Sequence, residues 1–385
     1  MSEPQPANAA ATIPPELEPD PYFDGGPTEV LQVECRDYTD LVPTDRPRRQ
    51  SLRGFDPIYT DIVDYIVRCT HRIWDERDIG LIYSHYTSNA VVYYNLNTVY
   101  SREDIVRDTI QRLVTFPERR GMATQVIWRG DDVEGFYTSH YVTGTGRHTQ
   151  DGAYGRPTGR SFNTRTVADC MVLENRIYRE WIVTDSMGLL RQLGVDPHPI
   201  AEARAREMLQ RGQGVVDIGE TGRLPGQAPP EAEADVSIAH TELEAQVLRD
   251  LHEIYNKRMF GRIKETYAPN VQWHGPLMKE VYGRAGVLHQ ALLLVGSIPD
   301  CIFVAQHICS VPCAEGGDKV AIRWTMEGHH LGWALLGPPT GHRIFVLGIT
   351  HLHIKAGKVV EDWTLYDELA MLTQIKLGEL AKAAG

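Results

Sequence analysis

Ile62, Val63, Ile66, Val67 and Ile73 recur at the three- and four-residue spacing of one helix face and lead up to Trp74, which predicts an amphipathic helix. Leu243, Val247, Leu248, Leu251, Ile254 and Tyr255 repeat that pattern in the second half of the chain. Each helix leads to a shorter one, ending at Tyr86 or Tyr267, and then to a β-rich strip, Val91–Tyr94 or Val271–His274. A further helix follows Tyr100 or Tyr282, and after it come three or four long strands with turn residues between them. The last two strands flank Glu174-Asn175 in one half and Ala356-Gly357-Lys358 in the other, both hairpin-like turns. Helices first and a long antiparallel sheet afterwards is the α+β order.

The two halves correspond residue by residue. Gly155-Arg156-Pro157-Thr158-Gly159 returns as Gly337-Pro338-Pro339-Thr340-Gly341, and Glu180-Trp181…Asp185 returns as Asp362-Trp363…Asp367. The offset is 182 residues for Gly155 and Gly337, for Trp181 and Trp363, and for Asp185 and Asp367. A period of this length is a whole domain rather than a solenoid unit. The predicted organisation is an irregular N-terminal arm over residues 1–54, a first domain over 55–196, a linker with a short helix over 197–240, and a second domain over 241–380. The arm is rich in Pro, Glu, Asp and Ala and either stays disordered or wraps the body; Pro225-Gly226 and Pro229-Pro230 mark the linker.

Composition narrows the classes. A net charge of −12 over 385 residues, with no basic stripe, argues against nucleic acid as a partner. No apolar run has the length of a membrane span, and the N-terminus lacks a basic segment followed by an apolar one, so a cytoplasmic protein is expected. The six cysteines are scattered, which suits reduced, mostly buried thiols. Eight of the fifteen histidines lie between His274 and His353, yet no helical His pair or close carboxylate set accompanies them, so no metal is predicted. No phosphate-binding Gly-rich loop and no Gly-x-Ser-x-Gly elbow is present, so no cofactor is expected.

Several segments, in order, resemble the SnoaL-like polyketide cyclases of the nuclear transport factor 2-like superfamily. Gly328-His329-His330-Leu331-Gly332 is similar to the family's Gly-Thr-His-x-Gly turn, and Gly337–Gly341 to its Gly-x-Pro-x-Thr-Gly turn. Gly357-Lys358-Val359-Val360-Glu361-Asp362-Trp363 is similar to Gly-Lys-Ile-x-Glu-x-Trp, and Asp367 with the Leu-rich helix carrying Gln374 completes the set. The resemblance implies two cone-shaped α+β barrels, each a curved sheet wrapped over helices with an apolar pocket at its open end. It also implies a sheet-to-sheet pair within the chain, with homo-oligomers open. Family members often place an Asp directly after the Trp and another on the penultimate strand; here Thr364 and Thr350, or Ile182 and Ala168, stand there.

The candidate chemistry centres on the second repeat. Leu347, Ile349, His351 and His353 share one face of the strand Val346–Ile354, with Asp367 at the end of its neighbour. His351, His353 and Asp367 are therefore the candidate catalytic residues, as general base and orienting acid. Asp367 equally suits an N-cap of the last helix, and Asp185 holds the same position in the first repeat. Asn163, Arg165 and Asp169 form a polar row that lines a pocket, faces solvent or makes interdomain ion pairs. His274, His330, Trp333, Tyr94, Asp169 and Asp185 are the candidate substrate-binding residues. The expected function is a cofactor-independent enzyme that binds a small apolar, aromatic or polyketide-like hydroxy or carbonyl compound and acts as cyclase, dehydratase, isomerase or retro-aldol-type lyase. The alternatives are a non-catalytic binding or scaffold protein of the same fold, and a split role in which the first repeat supports a catalytic second.

Overall fold

The apolar stripes predicted for the two amphipathic helices become the base on which each sheet closes. The computed structural model describes residues 19–26, 47–214 and 233–384. In the first repeat α1 (Ile62–Trp74) starts at Asp61, whose side chain accepts from the Asp64 amide. The short α2 (Ile82–His85) runs into β1 (Tyr86–Tyr93), β2 (Thr98–Tyr100) and α3 (Arg102–Thr115). Four long strands follow, β3 (Arg120–Asp131), β4 (Gly135–Arg147), β5 (Ser161–Leu173) and β6 (Arg176–Thr184), then α4 (Ser186–Leu193). The connecting segment folds as α5 (Pro197–Gln210).

The second repeat follows the same plan: α6 (Glu242–Leu251), α7 (Ile263–Thr266), β7 (Tyr267–His274), β8 (Glu280–Tyr282), α8 (Arg284–Ser297), β9 (Ile302–Pro312), β10 (Asp318–His329), β11 (Arg343–Lys355), β12 (Lys358–Tyr366) and α9 (Glu368–Ala384). β5 and β11, and β6 and β12, begin and end 182 residues apart.

Each sheet has six strands, ordered β2-β1-β6-β5-β4-β3 and β8-β7-β12-β11-β10-β9. The long meanders are antiparallel as predicted, but β1 lies parallel to β6 and β7 parallel to β12, so both sheets are mixed. Register shifts in β3, between Met171 and Val172, and between Arg323 and Trp324 mark bulges. Bulges bend strands, which curls each sheet into a cone. The hairpins turn at Glu174-Asn175 and at Ala356-Gly357, all four with positive φ as tight hairpin turns require.

The outer faces of the two sheets pack on each other. Tyr141, Val167, Trp181 and Val183 meet Phe345, Leu347, Ile349 and Leu365 in one buried cluster. Tyr137 stacks on His307 with ring centroids 3.6 Å apart. Each sheet is therefore buried on both sides, and β11 is buried at every position from Ile344 to Ile354. α5, expected as part of a linker, lies against α9 through Ala205, Met208 and Leu377.

The described parts of the arm pack against the first repeat. Arg48 pairs with Asp20, both buried, and donates to the carbonyls of Leu52 and Phe55. The Asp56 amide donates to Asn175 Oδ1 at the closed end of the cone. The rest of the arm, with Cys35, and linker residues 215–232 lie outside the described residues. The other five cysteines are buried. Among the described residues no helix is long and apolar enough to cross a membrane.

Candidate functional site

Alternation along β5 and β6 sends one set of side chains into the first cone and the other set to the domain interface. Thr164, Thr166, Ala168 and Cys170, with Glu180, Ile182 and Thr184, line a cavity of about 700 Å³, within the usual size range of small-molecule pockets. Ile66, Ile73 and Trp74 from α1, and Phe116 and Phe162, supply apolar wall.

Glu180 of β6 lies deep in this cavity, beside Ile177. The Tyr86 hydroxyl donates to its Oε2 at 3.1 Å, and Cys170 Sγ lies 3.7 Å from its Oε1. Burial pushes the Glu180 carboxyl up to about 7, against the opposing hydrogen bonds of Tyr86 and Cys170. Such a group changes charge near neutrality, as a general acid or base requires.

His140 on β4 faces the same space and is almost fully buried. Its Nδ1 lies 3.5 Å from the Thr70 hydroxyl, and its Nε2 has no partner among the described residues. Burial pushes its pKa down to about 4, so the imidazole is neutral at neutral pH. Pairing sets His140, Ala168 and Ile182 in one row across the sheet, one inward position nearer the mouth than the Cys170–Glu180 row.

The mouth combines parts of both repeats. Arg204 and Met208 of α5 line it, together with Asp151 and Tyr154 and with Asp367 from the second repeat. Asp367 caps α9, its Oδ1 accepting from the Leu369 amide at 3.0 Å. Burial pushes Asp367 up to about 6, with Arg204 opposing the rise and Asp185 adding to it. Both sequence readings of Asp367 thus meet in one residue, a cap that also borders a cavity, but the cavity belongs to the other repeat.

The second cone is filled. Phe303, Trp324, Met326, Tyr366 and Met371 lie in its core cluster, with Tyr255 packed against them. Tyr255 stacks on Phe303 at 5.4 Å, and Phe303 on Trp324 at 5.6 Å. A carboxyl–tyrosine pair survives there: Tyr267 donates to Asp362 at 2.9 Å and Thr364 donates to it at 2.6 Å. Burial pushes Asp362 up to about 6.

The strand face expected to carry catalytic histidines points elsewhere. His351 is wedged between the sheets, with Nε2 2.7 Å from Ser139 Oγ and Nδ1 3.3 Å from Gln125 Oε1. His353, on the same buried strand face, bonds through Nε2 to the Gly316 carbonyl at 2.9 Å. The shared face was read as expected, but it is the outer one. Alternation separates two faces without saying which is concave, and here both are buried.

The proposed binding residues scatter in the same way. Asp169 is a buried interdomain anchor, taking hydrogen bonds from Tyr137, from Ser139 at 2.6 Å and from Arg323 at 3.1 Å. Arg165 of the same row pairs with Glu280, so the interdomain ion-pair reading describes Arg165 and Asp169, whereas Asn163 is exposed. Asp185 caps α4 through the Gly188 amide at 2.9 Å and also accepts from the Met278 amide at 3.0 Å. His274 stacks on Trp363 at 3.7 Å on the outer face and pairs with Glu280 and Glu361.

His330 fastens the Gly337–Gly341 turn instead of lining a pocket. Its Nδ1 lies 3.1 Å from Thr340 Oγ1, and its carbonyl accepts from the Thr340 and Gly341 amides. His148 makes the corresponding contact with Thr158 at 3.4 Å in the first repeat. Trp333 is 75% exposed. Tyr94 does line the first cavity, its hydroxyl donating to Asp108 at 3.1 Å under the Arg112 guanidinium. Glu180, Tyr86 and His140 were missed. The available signal was the repeated acid before each Trp: alternation puts Trp181 outside and therefore Glu180 inside.

A six-stranded curved sheet over helices, with an acid buried at the base of an apolar hollow, defines an α+β cone of the nuclear transport factor 2-like kind. The sequence profile of the SnoaL-like polyketide cyclases matches residues 65–193 and 245–375, well over half of the chain, and the chain belongs to that family. Membership supports an enzyme of cyclase or isomerase type.

Among solved structures, a provisionally assigned SnoaL-like polyketide cyclase from Jannaschia sp. CCS1 is 20% identical, over 35% of this chain and 95% of its own, with a TM-score of 0.30. IdmH of Streptomyces antibioticus, a provisionally assigned polyketide cyclase, is 25% identical over 35% of this chain and 99% of its own, with a TM-score of 0.30. TsrD of Streptomyces laurentii is 20% identical over 35% and 96%, with a TM-score of 0.31. No curated protein gives a significant match.

Proposed function

We propose that the first cone is an acid–base active site in which Glu180 moves a proton at a carbon beside a carbonyl of an aromatic or polyketide-derived compound. The observation that carries this reading is the Glu180 carboxyl, buried at the base of the cavity, held by Tyr86 and raised to about 7. In its ionised form Glu180 takes the proton from the carbon. The resulting enolate places its charge on oxygen, where the otherwise unpartnered His140 Nε2 donates as N–H, with Nδ1 3.5 Å from the Thr70 hydroxyl. The enolate carbon then attacks a second carbonyl to close a ring, or Glu180 returns the proton at another carbon to complete an isomerisation. Every step uses side chains of the chain itself.

For the second repeat a supporting, non-catalytic role is favoured by its filled cone, and its contribution to the site is Asp367 at the mouth. The roles expected of His351 and His353 pass to Glu180 and His140.

The test is hydrogen–deuterium exchange at the carbon next to the carbonyl of 1-tetralone in D2O, followed by NMR. The full chain accelerates exchange over buffer, with a rate that rises through pH of about 7 as Glu180 ionises, and Glu180→Gln removes the acceleration. Retention of the full acceleration by Glu180→Gln would falsify the reading.

A further inference from the structure

The cavity wall carries a cation that the acid–base reading leaves unused. Arg119 stands in the turn between α3 and β3 and lines the cavity, its guanidinium over the Trp74 ring at 4.7 Å from the centroid. Among the described residues no side chain or carbonyl hydrogen-bonds to this guanidinium. Its neighbours are already engaged. Arg112 bonds to Asp108 at 3.0 Å, and Arg77 bonds to the carbonyls of Pro117 at 2.6 Å and Arg119 at 3.1 Å. Asp75, the acid whose charge favours Arg119, spends Oδ1 on the Gly121 amide at 2.8 Å, with His71 3.5 Å from Oδ2.

The cost of holding this charge is visible. Burial pushes the Arg119 guanidinium down to about 10; Asp75 opposes the fall, while Arg112 and Arg77 add to it. An anion brought to the guanidinium offsets these costs through charge-assisted hydrogen bonds. The cation is specific to this repeat. It stands beside Gly144, where a Cβ would lie 3.8 Å from Arg119 Nε, an ordinary contact. At the corresponding places the filled cone has Cys301 for Arg119 and Met326 for Gly144. The cation is thus confined to the repeat that keeps a cavity.

We propose that the first cone takes an anionic ligand, an aromatic or polycyclic carboxylate whose carboxylate group is bound by Arg119 while its rings lie along Trp74 and Val142. This rests on the first cone being the ligand-binding one and goes further by naming the charge of the ligand. The planar guanidinium offers a fork of N–H donors that matches a carboxylate, and the indole beneath it holds the fork in place. Recognition then works from two regions of the cavity, with Arg119 gripping the acid group and Glu180 facing the carbonyl-bearing part.

The test titrates the full chain with 2-naphthoate and with neutral 2-naphthamide by calorimetry. The wild-type chain binds the acid at least tenfold more tightly than the amide. Arg119→Gln loses that preference while still binding the amide, which also shows that the variant is folded, and Arg119→Lys keeps part of it. Glu180→Gln keeps the preference whatever its exchange rate, so failure of the catalytic reading leaves a separate signature. A wild-type chain that binds both compounds alike or neither, or an Arg119→Gln variant that still prefers the acid, overturns the proposal.

Discussion

The two cones share a strand register and differ in what fills them. At inward positions 182 residues apart, the first cone has Val142, Gly144 and Thr184 where the second has Trp324, Met326 and Tyr366. Three large side chains turn a hollow of about 700 Å³ into a packed core without altering the pairing of the strands. The buried acid survives the change. Glu180 with Tyr86 faces open space, whereas Asp362 with Tyr267 is enclosed and further bonded by Thr364. Backbone and buried carboxyl are thus common to the two cones, and side-chain volume is what separates them.

The strongest way to break the comparison is to move the filling across. Val142→Trp, alone or with Thr184→Tyr, should abolish ligand binding and exchange activity in the first cone, with a melting temperature close to that of the wild type. Calorimetry and thermal melting check this; persistent binding would place the ligand elsewhere. Next, Glu180→Gln should cost about 100- to 10,000-fold in turnover, the usual range for a general acid or base. Asp362→Asn should change turnover far less, since Asp362 is enclosed in the packed core of the second cone. Equal losses in the two variants would erase the distinction between the cones.

A third change probes the outer faces. Arg323→Ala leaves Asp169 buried between the sheets without its cation, and the loss expected in denaturant unfolding is about 3–5 kcal/mol. A loss under about 1 kcal/mol would rank this pair with ordinary surface ion pairs.

The smallest effect is a difference in pH dependence. Burial holds His351 neutral, with its pKa down to about 3, and its contribution to stability is complete above the unfolded value of 6.5 and declines as pH falls toward 3. Glu180 has the opposite sign: its raised pKa favours the folded state below the unfolded value of 4.5, and that contribution is lost as pH rises through about 7. Between pH 6.5 and 4.5 the two contributions oppose each other, so His351→Gln should make stability rise more, and Glu180→Gln should make it fall more, as the pH is lowered. Unchanged slopes in both variants would remove the proposed link between burial and titration.

Much of the fold was legible because it is written twice. The helix stripes, the hairpin turns and the repeated Trp each appear at matching positions, and the observed strands follow them. The site was harder to read. Histidines attract attention, so His351 and His353 were singled out, yet a strand buried on both faces gives alternation no inside. The helix after Pro197 reads as linker by its charge, and its buried residues Ala201, Ala205 and Met208 find partners far off in sequence, in α9 of the second repeat and, for Ala201, in α4 as well. Arg119, in a turn, and Trp74, at the end of α1, lie far apart in sequence, and their meeting exists only once the sheet has curled. Tyr94 was found as the first-repeat counterpart of His274, at a strand end where the resemblance places a pocket-lining residue, and it does line the first cavity.

α5 leaves the first repeat, settles on α9 and, with Asp367, completes a rim around a hollow that is otherwise built by the first repeat. Prying the halves apart therefore removes part of the vessel's lip. By mass action, any guest that prefers the finished rim tightens the grip of one half on the other, so occupancy of a single cavity is felt as cohesion of the entire chain.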